Sequence, residues 1–236
     1  MEVLPEQIKE KVLVIIPVFN EQGRIGTVVN ELVEMGFSNI LVVDDGSDDL
    51  SSPEASLAGA RVLRHILNRG AGAATETGLE YFRRSLDLHA AVTMDGDGQH
   101  YADDVVKILK SHFERESDLT IGDRFSLGEN EIPFRRKVYN KIADWVTGGM
   151  SFRIVKDSQS GFRVWSRNAT EKISIEQDGF EFCSEVVIKA HHLGLSLNNV
   201  PIRVKYTEES MSKGQGFFVG IQTFFNLLHH VLFKVK

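Results

Sequence analysis

Apolar residues along this chain fall into two kinds of run, and the two alternate. From Lys11 to Val18 the sequence is nearly continuous Val, Leu and Ile, a pattern that suits a strand buried on both faces. Pro17 has no N–H and predicts the end of that strand's ladder. From Asn20 to about Met35, Ile25, Val28, Val29, Leu32 and Val33 fall on one side of a helix, which Gly36 closes. Further strands are expected at Asn39 to Val43, Arg61 to Leu67, Ala90 to Met94 and Asp118 to Ile121. Between them lie a short connection or helix from Ser51 to Gly59, a helix ending near Arg84, and a helix from Tyr101 to His112. This rhythm predicts an α/β fold: a mostly parallel central sheet with helices on both faces, in a single domain.

The second half reads differently. Ile132 to Gly149 is mainly helical, Asp157 to Trp165 is a polar turn entering a strand-like piece, and Asp178 begins a helix running to about His192. Asn199 to Lys205 is a strand, and Pro201 near its start marks a sheet edge.

Composition narrows the class. A formal net charge of -6 over 236 residues excludes a broad nucleic-acid surface. A single cysteine, Cys183, allows neither an intrachain disulfide nor a thiolate metal cluster, and its place in a helical pattern marks it as a small core residue. The first residues lack the basic and apolar regions of a signal peptide, and no apolar stretch reaches transmembrane length. A cytoplasmic body is expected.

The chemistry concentrates in Ala91-Val92-Thr93-Met94-Asp95-Gly96-Asp97-Gly98-Gln99-His100, where an apolar strand ends in two carboxylates two residues apart. An EF-hand start fails, because the fifth and twelfth positions from Asp95 are Gln99 and Val106. An aspartyl-phosphate loop would follow the first strand and carry a hydroxyl residue after Asp-x-Asp-Gly. A solvated Asp/Gly turn is a further reading. The fourth, a clamp for a metal-bound diphosphate, fits oxygen ligands and Mg²⁺ or Mn²⁺. A second carboxylate-rich loop, Asp44-Asp45-Gly46-Ser47-Asp48-Asp49, also follows a strand end, where open α/β sheets bind ligands. Neither Gly-x-Gly-x-x-Gly nor a Walker A sequence occurs.

Six stretches in order resemble the inverting family 2 glycosyltransferases with the GT-A fold, and among them the dolichyl- or polyprenyl-phosphate sugar synthases. They are Ile16-Pro17-Val18-Phe19-Asn20-Glu21, Val42-Val43-Asp44-Asp45-Gly46-Ser47, Met94-Asp95-Gly96-Asp97-Gly98-Gln99-His100, Gly122-Asp123-Arg124, Asp157-Ser158-Gln159-Ser160-Gly161-Phe162-Arg163, and Ser212-Lys213. The resemblance implies a nucleoside diphosphate sugar as donor, GDP-mannose or UDP-glucose with mannose favoured, and a lipid phosphate as acceptor. It implies that Pro17, Phe19, Asn20, Glu21, Asp44 and Asp45 line the nucleoside pocket. Asp95, with Gly96 beside it, and Asp97 would hold the metal on the diphosphate, with Gln99 near or on it. Arg124 and Arg135 would face the phosphates; Arg163 would orient Asp157 or contact phosphate. Arg203, Ser212 and Lys213 would lie on the acceptor side, and Asp157 would be a base or an orienting group. The implied division is 11–125 for the nucleotide sugar, 126–213 for the acceptor and 214–236 for a C-terminal amphipathic helix.

In that last stretch Phe217, Phe218, Ile221, Phe224, Phe225, Leu228, Val231 and Leu232 recur at helical spacing. Such a helix lies in a membrane interface or docks on the sheet or on a second subunit. Peripheral contact with the cytoplasmic face of a membrane is therefore expected, with a homo-oligomer or a membrane partner left open. Two alternatives to lipid phosphate transfer stand: the same fold acting on a sugar hydroxyl, with Asp157 as base, and a nucleotide-sugar-binding protein without transfer activity.

Overall fold

A computed structural model describes residues 4–128, 130, 132–151 and 154–205, with the backbone alone at Arg135 and Arg136. A short helix α1 (Glu6–Lys9) precedes the buried strand β1 (Val12–Val18); α2 (Ile25–Glu34) leads to β2 (Ile40–Asp44), and α3 (Ser51–Leu57) to β3 (Arg61–Arg64). Helix α4 (Ala71–Arg84), β4 (Ala90–Thr93), α5 (Ala102–Glu114) and β5 (Leu119–Asp123) continue the alternation. Then come α6 (Phe134–Ser151), β6 (Arg163–Ser166), α7 (Arg167–Lys172), α8 (Phe182–His192) and β7 (Leu197–Pro201).

The seven strands form one sheet in the order β3-β2-β1-β4-β6-β5-β7. All neighbours are parallel except β6, which runs antiparallel to both β4 and β5. Alternate side chains of each strand serve opposite faces. Val12, Val14, Ile16 and Val18 join Val28, Val29 and Leu32 of α2 and Val105, Ile108 and Leu109 of α5 in one core. Leu13 and Ile15 join Leu79 and Phe82 of α4 and Val186 and Val187 of α8 in the other. Helix α4 lies so close that a β-carbon on Gly78 would sit 2.3 Å from Ile15 Cγ2.

Several expectations change: β3 stops at Arg64 rather than Leu67, and α8 starts at Phe182 rather than Asp178. The β1 ladder continues past Pro17, which pairs opposite Val43, to Val18 opposite Asp44. Helix α2 starts at Ile25 rather than Asn20, because Asn20 has φ 55 and the N–H groups of residues 20–23 bond to side chains of the loop after β2 and of the first turn of α3. The last strand is Leu197–Pro201: it pairs with β5 from Leu119 to Asp123, and Val204 only bridges to His100. Pro201 therefore closes the strand, which is an edge as expected. Ser212, Lys213 and the stretch 214–236 lie outside the described residues.

Candidate active site

Because β6 alone is reversed, the ends of β1, β2, β4, β5 and β7 and the start of β6 meet at one edge of the sheet. The described candidate site residues lie along that edge or, for Arg135, on α6.

The first two loops are stitched together. Asn20 N–H donates to Ser47 Oγ at 2.9 Å, and Asp48 N–H to Asn20 Oδ1 at 3.0 Å. Glu21, Gln22 and Gly23 N–H groups donate to Ser51 Oγ, Asp49 Oδ2 and Glu54 Oε2 at 2.8, 3.0 and 2.7 Å. Asp44 and Asp45 are buried and already hold protein donors. Asp44 accepts from Ser47 N–H at 2.8 Å and from the Ser52 hydroxyl. Asp45 accepts from Gly70 N–H at 2.6 Å and pairs with His65 Nδ1 at 2.7 Å. These two carboxylates shape the wall of the loop; Phe19, 43% exposed, is its outward apolar face.

Asp95 and Asp97 follow β4. Burial works to raise the Asp95 pKa, but the His100 bond at 3.3 Å and the charges of His100, Arg124 and Arg163 outweigh it and hold it below the usual carboxylate range. Burial, with the Asp95 charge beside it, pushes Asp97 above that range. The Asp95 side chain is 49% exposed, and Asp97 Oδ1 accepts from Gln99 N–H at 2.9 Å. His100 is buried against Phe162 at 4.9 Å between ring centres. Among the described residues no three His, Cys, Asp or Glu side chains form a closed metal cage. Two adjacent carboxylates that resist joint ionisation, one of them open, still fit a Mg²⁺ or Mn²⁺ ion whose remaining ligands come from a diphosphate and water.

Asp157 and Arg124 form the second centre. Arg124 gives Asp157 three hydrogen bonds: its N–H and Nε to Oδ2, both 2.8 Å, and Nη2 to Oδ1 at 2.6 Å. The Asp157 side chain has no exposure. Its backbone has φ 47, and Asp144 of α6 holds that turn by accepting from Asp157 N–H at 3.0 Å and Ser158 N–H at 2.7 Å. Burial, despite the bonds from Ser158, pushes the Asp144 pKa up.

Arg163 is fully buried. It donates to the carbonyls of Ser160, Ser158 and Cys183, each at 2.8 Å. It therefore braces the 157–161 turn from beneath and, among the described residues, bonds to carbonyls rather than to a carboxylate. Burial lowers its pKa and pushes the Cys183 thiol up to about 11, consistent with an inert core cysteine. Arg203 follows β7; it is clamped by Asp104 at 3.1 Å and Asp103 at 2.5 Å, over the Tyr101 ring. Arg135 lies in the first turn of α6.

Sequence reasoning missed Asp144, Asp104 and Asn130. Asn130 donates to the carbonyls of Arg124 and Ile202 at 2.7 and 2.9 Å and accepts from Val204 N–H at 3.1 Å, joining the β5 loop to the chain after β7. Their only sequence signal is a polar residue at a helix or loop position, which is commonplace.

The family model described as "Glycosyl transferase family 2" matches residues 13–173. The chain is 33% identical to UDP-N-acetylglucosamine--dolichyl-phosphate N-acetylglucosaminyltransferase of Methanococcus voltae, over 95% of this chain and 97% of that protein. It is 30% identical to polyprenol monophosphomannose synthase of Mycolicibacterium smegmatis, over 88% and 82%. Its fold superposes on glucosyl-3-phosphoglycerate synthase from Mycobacterium tuberculosis in complex with Mn²⁺, uridine diphosphate and glucosyl-3-phosphoglycerate. There the TM-score is 0.70 at 16% identity, covering 98% of this chain and 83% of the other. The order of the motifs, the edge at which their loops meet and these matches agree: the chain belongs to glycosyltransferase family 2, on the GT-A fold.

Proposed function

We propose that the protein transfers a hexose from a nucleoside diphosphate sugar to a polyprenyl or dolichyl phosphate, with inversion at the anomeric carbon. An oxygen of the acceptor phosphate bonds that carbon, its bond to the diphosphate breaks, and the nucleoside diphosphate leaves with the electron pair.

The observation that carries this reading is the occupation of Asp157. A hydroxyl acceptor needs a base within hydrogen-bond reach, but both oxygens of this buried carboxylate already accept from Arg124. A phosphate monoester, with a second pKa of about 6, brings its own charged oxygen. Asp157 then serves to aim Arg124, and Asp144 and Arg163 fix the turn that carries it. The sugar-hydroxyl reading would require Asp157 to leave that pair.

In this reading the half from 11 to 125 binds the donor, with Pro17, Phe19, Asn20, Glu21, Asp44 and Asp45 about the nucleoside. Asp95, Asp97 and Gln99 would hold Mg²⁺ or Mn²⁺, which when bound offsets charge growing on the leaving diphosphate. Residues 126–213 shape the acceptor side, where Arg135, Arg203 and Lys213, with Arg124 at its border, supply positive charge against two phosphate groups that repel each other, and Ser212 adds a hydroxyl. No helix among the described residues is long and apolar enough to cross a membrane, so the chain would meet a membrane-held acceptor from the surface.

The test is product formation by the full chain with Mg²⁺ or Mn²⁺ and a short polyprenyl phosphate, using GDP-mannose, UDP-glucose and UDP-N-acetylglucosamine in turn. The third donor joins because the Methanococcus voltae relative is named for it. Sugar on the phosphorylated lipid, and none on polyprenol or free sugars, supports the reading and names the donor. Transfer to hydroxyls alone overturns it, and donor binding without any transfer favours the non-catalytic alternative.

A further inference from the structure

Asp95 and Asp97 stand two residues apart after β4, and the Asp95 charge is felt at Asp97. Two such carboxylates turn away from each other unless something holds them. Asp97 is held by its own turn, accepting from Gln99 N–H at 2.9 Å. The Asp95 side chain is 49% exposed, and among the described residues its hydrogen-bond partner is the His100 ring, with Nε2 3.3 Å from Oδ2. A carboxylate only accepts, so Nε2 carries the proton of that bond. The other oxygen, Oδ1, is turned to the Gly161 backbone, where a β-carbon would come within 2.7 Å of it. One oxygen is thus tied to a ring, and the other has the room that a glycine leaves.

We infer that His100 is a positioning residue: it holds the Asp95 carboxylate in place for a divalent cation without being a ligand itself. This rests on the metal reading of Asp95 and Asp97. The ring does not serve the ion directly. It is 3% exposed, its Nε2 is spent on Asp95, and its Nδ1 is buried with no partner among the described residues. An ion arriving from solvent meets the half-exposed carboxylate and not the nitrogen behind it. A buried polar atom left unpaired is a cost that folding alone gives no reason to keep; leucine would fill much of the same space without it. The ring is also fixed from behind. It lies on Phe162, 4.9 Å between ring centres, and Phe162 is fully buried beside Gly161. The His100 backbone bridges to Val204, and Lys205 N–H donates to the Gln99 carbonyl at 2.8 Å. Val204 N–H in turn donates to Asn130 Oδ1 at 3.1 Å, and Asn130 Nδ2 donates to the Arg124 carbonyl at 2.7 Å. Through Val204 and Asn130 the residue that orients Asp95 is tied to the loop that carries Arg124. The fold thereby sets the spacing between the open carboxylate and the Arg124–Asp157 pair before any substrate arrives.

The experiment titrates the full chain with Mn²⁺ and follows the unbound ion by its electron paramagnetic resonance signal, beside a thermal melt in chelator. His100→Leu is expected to bind Mn²⁺ about tenfold to a hundredfold more weakly, while melting no lower than the parent because it removes the unpaired nitrogen. His100→Gln, whose Nε2 can reach the same oxygen, is expected to recover most of that affinity. A packing role gives the opposite pattern, with lower melting in both variants and affinity unmoved. Parental affinity in His100→Leu, or a loss that His100→Gln does not recover, overturns the assignment; Asp95→Asn, still weak in the same titration, then keeps the metal reading. Parental affinity in Asp95→Asn removes the ion from that carboxylate, and the metal reading and this inference fall together. Neither sugar donor nor acceptor is present, so a failure of the transfer reading leaves the result standing.

Discussion

Gly161 lies against Asp95: a β-carbon built on it would sit 2.7 Å from Asp95 Oδ1 and 3.4 Å from Cγ. The backbone there is held, since the Gly161 carbonyl accepts from the Thr93 hydroxyl at 2.9 Å and Trp165 Nε1 donates to that hydroxyl at 3.2 Å. The glycine is thus needed for space, and the carboxylate is the group that must give way. Gly161→Ala should lower kcat/KM at least about tenfold to a hundredfold, the scale of a displaced reacting group, while melting within a few degrees of the parent. Steady-state rates at saturating metal, set beside a thermal melt, check this. A parental rate would remove Asp95 from the reaction.

Arg124 and Asp157 should behave as one unit. Removing either partner leaves the other uncompensated, costing about 3 kcal/mol in stability, while the double change to Leu and Asn should cost less than the sum by about 1 kcal/mol or more. Urea titrations of the four proteins give that cycle. The rate profile separates the two roles of Asp157. If it orients Arg124, Asp157→Asn slows the reaction but keeps an acidic limb near about 6, which belongs to the acceptor phosphate. If it is the base, the limb disappears with the carboxylate.

The sheet, both cores and the position of the paired aspartates were legible because buried parallel strands are written as continuous Val, Leu and Ile, with carboxylate-bearing loops at their ends. Helix α6 was legible as a helix but not in its orientation, because only the fold shows Thr147 and Ser151 buried while Phe134, Ile142 and Trp145 are exposed. Arg163 read as a group that orients Asp157 or contacts phosphate, because a buried guanidinium bonded to three carbonyls leaves no trace in sequence. Asp104 is an acid in a first helical turn with nothing to single it out, and only the tertiary fold brings Arg203 to it. The reversed strand β6 was invisible for the same reason: its direction is set by the path of the chain between β5 and β6, which only the tertiary fold shows.

Mutual repulsion in the aspartate pair predicts a metal signature that needs no substrate. Mg²⁺ or Mn²⁺ should raise the melting temperature in a concentration-dependent way, since an ion bound only by the folded state stabilises it. Asp97→Asn should abolish that response and lower the rate at least about a hundredfold. In chelator it should melt at or above the parent, because the change removes a carboxylate whose charged form is opposed by burial and by the Asp95 charge beside it. A parental metal response in Asp97→Asn would place the ion elsewhere.

Stability should also fall with acid through a group far from the reaction. His112 on α5 is buried, its Nδ1 pairs with the Thr120 hydroxyl at 2.9 Å, and burial lowers its pKa from 6.5 to about 4, against the opposing charge of Asp118. Below pH 6.5 the unfolded chain takes up a proton that the folded chain refuses, so the unfolded state binds more protons and stability drops as pH falls. The contribution is whole above 6.5 and lost progressively down to about 4, where it reaches about 3 kcal/mol. Carboxylates held low in the fold, such as Asp118 and Asp103, have an unfolded value of 3.8 and add their own loss only below that window. Urea unfolding at pH 7.5, 6 and 5 should therefore show a slope that His112→Gln flattens, although the variant is less stable than the parent at pH 7.5. An equal slope in both proteins would assign the acid sensitivity to another group.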